Sequence, residues 1–72
     1  MNKKWAQKHH ELLQLMLNLD LSKSTILRII DAVNELLDDP KACMARTEQF
    51  INLLQACKTE EEVTLKLDEA GL

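Results

Sequence analysis

Few residues in this 72-residue chain could do chemistry: Cys43 and Cys57, the adjacent pair His9-His10, and the run Glu60-Glu61-Glu62. Two cysteines and two histidines are the ligand types of a tetrahedral zinc site, but their spacing does not assemble one. Adjacent residues on a helix point about 100° apart, so His9 and His10 do not converge on one metal from one face. The cysteines lie fourteen positions apart, which along one helix is about 21 Å at 1.5 Å per residue. A disulfide needs Cα atoms within about 7 Å, so two buried, reduced thiols are expected. The glutamates follow Thr59, and Thr-Glu-Glu-Glu is a capping box in which Thr59 covers the Glu62 N–H and Glu62 reaches back to Thr59. No Ser or Cys stands at a nucleophile's spacing from a His, and a single glycine is too few for a phosphate-cradling loop. The expectation is a chain that is not an enzyme and uses no metal or cofactor.

The elements that would position these residues are helices. Apolar residues recur at the 3.6-residue period, and no alternation of period two is present. Helices are expected over about 3–19, 23–38, 40–57 and 60–70, giving an all-α, compact four-helix bundle in a single domain, 1–72. The first two helices are joined through about 20–22 and should form a helical hairpin. Asn2 and Ser22 suit N-caps, the Ser22 hydroxyl accepting from the first turn of the second helix. Asp39-Pro40 ends the second helix and opens the third, because the residue before proline avoids the α region and Pro at the first helical position loses no bond. Gly71 stops the fourth helix, with Leu72 placed for the closing apolar contact.

The second helix sets Ile26, Ile29, Ile30, Val33, Leu36 and Leu37 on one face. The third presents Cys43, Met44, Thr47, Phe50, Ile51, Leu54 and Cys57. The first helix is the anomaly. Its apolar arc spans about 200°, against about 100° for packing on one core, with only Glu11, Gln14 and Asn18 as a polar stripe. Trp5, Leu12, Leu15, Met16 and Leu19 can meet Ile26, Ile30, Val33 and Leu37. The adjoining stripe of Ala6, His10, Leu13 and Leu17 then lacks an evident partner within the chain and is the expected protein interface. His9 falls inside the arc and His10 at its margin.

Between the first two helices, Leu21-Ser22-Lys23-Ser24-Thr25-Ile26 together with Arg28 resembles a bacterial helix-turn-helix. In that family the Ser-Lys-Ser-Thr stretch opens the recognition helix, which lies in the major groove. The resemblance implies that Lys23, Ser24, Thr25 and Arg28 face DNA. It departs from the pattern at Met16, where a small residue allows close packing, and at Asp20, where the turn takes glycine. Asp31, Glu35, Asp38 and Asp39 also bring charge that repels phosphate.

Composition frames the choice. The chain is 46% apolar and 29% charged, with one Trp, one Phe and no Tyr. That excludes a disordered tail and leaves a small aliphatic core of marginal stability. Residues 1–30 carry five cations and two anions, and residues 31–72 four cations and ten anions; this polarity would steer partners and orientation. The apolar stretch over 12–21 is interrupted by Gln14, Asn18 and Asp20 and is too short to span a bilayer, so a cytoplasmic protein without a membrane role is expected. The leading expectation is a small helical protein–protein interaction module: a regulator, adaptor or inhibitor of the kind small bacterial or phage genes encode. It would act as a homodimer or on the helices of a protein partner. The alternative is a dimeric helix-turn-helix transcriptional regulator with nucleic acid as partner.

Overall fold

The structure, a computed structural model, describes residues 3–72. Four helices follow one another: α1 (Lys3–Asn18), α2 (Lys23–Asn34), α3 (Pro40–Gln55) and α4 (Glu60–Ala70). Among the described residues there is no strand. The expected all-α bundle is what forms, and Asn2, expected as the first N-cap, lies outside the described residues. α1 rests chiefly on α3, which also carries α2 and α4. The Cα radius of gyration is 11.5 Å, close to the roughly 11 Å of a well-packed chain of this length.

Each boundary has a local cause. α1 ends in a Schellman motif, with Asp20 N–H bonded to Leu17 C=O and Leu21 N–H to Met16 C=O. The left-handed position is filled by Asp20 at φ 53°, so the turn adopts the glycine-like conformation without glycine. Asp39 caps α3, its Oδ1 accepting from Ala42 N–H at 3.2 Å, with Pro40 at the first helical position. Thr59 caps α4 through the Glu62 N–H at 3.3 Å. Gly71, at φ 73°, closes that helix, and Leu72 N–H bonds Leu67 C=O at 2.9 Å while its side chain packs on the core.

Four expectations need correction. Ser22 takes the extended N-cap conformation but makes no side-chain cap bond; its hydroxyl meets the Ser24 and Thr25 hydroxyls instead. The Glu62 carboxylate reaches the Lys58 N–H rather than that of Thr59. α3 ends at Gln55, and Cys57 is held in a tighter turn by its N–H to Leu54 C=O. α2 ends at Asn34 rather than 38, because the chain tightens to three-residue hydrogen bonds, Leu36 to Val33, Leu37 to Asn34 and Asp39 to Leu36. Each residue then advances about 120° instead of 100°, which carries Leu37 out of the core. It is 57% exposed.

The core runs through all four helices: Leu12 and Met16 of α1, Ile29 and Val33 of α2, Phe50 and Leu54 of α3, and Val63 and Leu67 of α4. Thr47 is fully buried at its centre, its hydroxyl satisfied by the Cys43 C=O at 2.9 Å.

Three long-range ionic contacts hold the helix ends. α2 and α4 have no basic residue in their own last turns. Arg46 of α3 donates to the Ala32 C=O at 3.0 Å and pairs with Glu35, at the C-terminal end of α2. Arg28 of α2 donates through Nε to the Leu72 C=O at 3.1 Å and through Nη2 to Asp68 Oδ1 at 2.7 Å, at the C-terminal end of α4. Glu60 of α4 accepts the Ser22 N–H and so brings a carboxylate to the N-terminus of α2. Each charge opposes the sign of the helix end that it meets.

Candidate functional surface

α1 turns Leu12 and Met16 inward, and its partly buried Trp5, Leu13 and Leu15, with Leu19 in the turn just beyond, flank them against the core. Trp5 is anchored by its Nε1–H, which donates to Cys43 Sγ at 3.3 Å. His9 stacks on that indole, with ring centroids 4.9 Å apart and planes 13° from parallel. Among the described residues, its Nδ1 is a buried side-chain nitrogen without a hydrogen-bond partner. The inner side of α1 is thereby fixed.

Its outer side carries the expected stripe. Ala6 and His10 are exposed, and Leu17 is 66% exposed, the most exposed large apolar side chain among the described residues. Leu13 reaches part of the way into the core, so it belongs to both surfaces. A shallow groove lies along the first half of this stripe, lined by Lys3, Ala6, Gln7 and His10. Ala6 is the small residue that leaves it open. The spacing of Ala6, His10, Leu13 and Leu17 is four, three, four, which is the seam of one helix packing lengthwise on another. Leaving Leu17 66% exposed forgoes about 1–2 kcal/mol that full burial would supply.

The residues that the helix-turn-helix resemblance directs at DNA are dispersed. Lys23 and Ser24 are exposed at the start of α2. Thr25 is buried at 5% exposure. Arg28 is held by Asp68 and the Leu72 carbonyl. Periodicity alone missed Thr25 as a core residue because it read only apolar side chains; a Thr four residues before Ile29 on the same face was the available signal.

The cysteines are free and buried, Cys43 on α3 and Cys57 in the turn that follows it. Burial pushes the Cys57 thiol above its ordinary value of 9.0, Lys66 pulling it back and Glu62 adding to the rise. Its S–H donates to the Leu53 C=O at 3.2 Å. Among the described residues, no group of three His, Cys, Asp or Glu side chains stands close enough to share a metal ion, and no helix is long and apolar enough to cross a membrane. A second hollow of about 370 Å³ lies between α2 and the C-terminal end of α4, where Arg28 and Arg46 face Asp31 and Glu35. Its arginines are engaged by the helix-end contacts described above. Comparison with protein families, curated proteins and solved structures yields no match to this chain.

Proposed function

We propose that this chain is a small, non-enzymatic helical interaction module that docks on another helix through the outer stripe of α1. The observation that carries this reading is Leu17. It stands 66% exposed, in seam register with Leu13, His10 and Ala6 and two turns from an open groove on the same face. A small domain has little apolar surface to spare, and a leucine left outside at that spacing is the mark of a contact made with another chain. The two buried thiols suit a reducing compartment, and a cytoplasmic regulator or adaptor fits both features. Duplex binding draws less support, since of its four candidate residues Thr25 is buried, Arg28 is tied to α4 and the Ser24 hydroxyl already meets that of Ser22.

Leu17→Glu is the test. It should lower the apparent mass in light scattering, or abolish binding of a protein partner, while far-UV circular dichroism retains the helix content. Arg28→Glu should do neither at concentrations where it is folded. If Leu17→Glu stays fully associated with an unchanged melting temperature, the stripe is not an interface and the proposal fails.

A further inference from the structure

Building on that reading of the α1 stripe, we propose that its occupant is α1 of a second copy. The two helices run antiparallel across a twofold axis, with each Leu17 seated in the Ala6 groove of the other.

The stripe carries both halves of a self-complementary contact. Lys3, Ala6, Gln7 and His10 stand at i, i+3, i+4 and i+7 and line the groove; four residues in that diamond are the hole that receives a knob in helix–helix packing. The knob is Leu17, on the same face and eleven residues further on, about 16 Å along the axis. A surface with a hole at one end and a knob at the other pairs with itself through a twofold axis midway between them, near residues 11 and 12. Both holes are then filled by one operation. His10 lies beside Leu13 of the second copy, an amphipathic ring against a half-buried leucine.

Charge selects the same direction. In this register Lys3 of one copy lies at the C-terminal end of α1 of the other, beside exposed Asp20. α1 has no basic residue in its last turn and no acidic residue in its first. The antiparallel pair supplies both: Lys3 to the negative end of the helix dipole and Asp20 to the positive end. Arg46 and Arg28 do the same for α2 and α4 within one chain. A parallel pair would instead set Lys3 against Lys3 and His10 against His10, groove facing groove, with Leu17 meeting only its own copy. The face is one helix wide, so the interface is smaller than that of a permanent dimer and the association concentration-dependent.

Disulfide trapping tests the geometry. A chain bearing both Ala6→Cys and Leu17→Cys, with Cys43→Ser and Cys57→Ser, should run as a covalent dimer under mild oxidation. The two new thiols are about 16 Å apart within one chain, beyond the roughly 7 Å that a bridge tolerates, so each bond must join two copies. The single variants should cross-link when mixed and not when alone. Sedimentation of the native chain should show a reversible dimer that Leu17→Ala weakens on the order of a hundredfold, since two leucines are lost per dimer. Cross-linking of each single variant with itself would mean a parallel pair and overturn the proposal. A native chain that stays monomeric at millimolar concentration overturns it too. If Leu17→Glu then abolishes binding of a different protein, the module reading stands and only the second copy is excluded. Circular dichroism on every variant separates loss of association from loss of fold.

Discussion

Removing the Arg28 guanidinium should loosen the whole C-terminal quarter of the molecule. α4 is eleven residues long, too short to persist alone in water, and it is held by Val63, Leu67 and Leu72 on one side and by Arg28 at its end. Arg28→Ala deletes two contacts. The ion pair to Asp68 is short at 2.7 Å, but its side chains are 37% and 68% exposed, which limits it to about 0–1 kcal/mol. The bond to the Leu72 carbonyl is charge-assisted and half-buried, worth about 1 kcal/mol, and includes the favourable end of the helix dipole. The expected loss is about 1–2 kcal/mol, or roughly 5–15 °C in melting temperature for a domain of this size. Urea denaturation at one fixed protein concentration measures it, because association would otherwise shift the midpoint. Arg28→Lys should recover only part, since an ammonium keeps the charge but not the two-pronged grip. Amide exchange should accelerate first over 68–72. A loss under about 0.5 kcal/mol, the scale of an ordinary surface substitution, with unchanged exchange in α4, would refute the assignment of Arg28 as the tie between α2 and α4.

Two further perturbations probe other joints. Asp20 occupies the left-handed region at φ 53°, so Asp20→Gly should leave stability unchanged or raise it by a few tenths of a kcal/mol, while Asp20→Val should cost about 1–2 kcal/mol; equal midpoints for the two variants in thermal melts would show that the turn does not require that conformation. Accepting the Ser22 N–H holds the Glu60 carboxyl below its ordinary value of 4.5. The folded state therefore binds this proton less readily than the unfolded state, and the stabilisation is complete above pH 4.5 and lost as pH falls through the lower folded value. The stability gap between the native chain and Glu60→Gln should accordingly narrow below pH 4.5, and a gap that stays constant into strong acid would remove Glu60 from the N-terminus of α2.

The helices were legible in the sequence because their signals are local. Asp39-Pro40, Thr59-Glu62 and Gly71-Leu72 act within one turn of the backbone, and they mark the starts of α3 and α4 and the end of α4, while α2 stops at Asn34, ahead of Asp39-Pro40. Most of the core was legible for the same reason: Leu12, Ile29, Phe50 and Leu67 each lie on the apolar face that the helical period marks on their own helix, and burial follows from that spacing. The excess width of the apolar arc on α1 also lay in the sequence, and Leu17 stands outside in the fold.

What required tertiary structure is everything joined across many positions. Ser22 reads as a cap for α2, yet the group that meets its N–H is Glu60, thirty-eight residues away. Arg28 reads as a free cation for a phosphate, yet it lies against the end of α4, forty-four residues on, at the Leu72 carbonyl. Leu37 reads as core until the chain tightens ahead of Pro40 and turns it outward. Local pattern fixes which face of a helix is apolar, because rotation per residue is a backbone property. Which charge meets which helix end depends on how four helices stack, and that arrangement is set by the joint packing of side chains from all of them, which no single window of sequence contains.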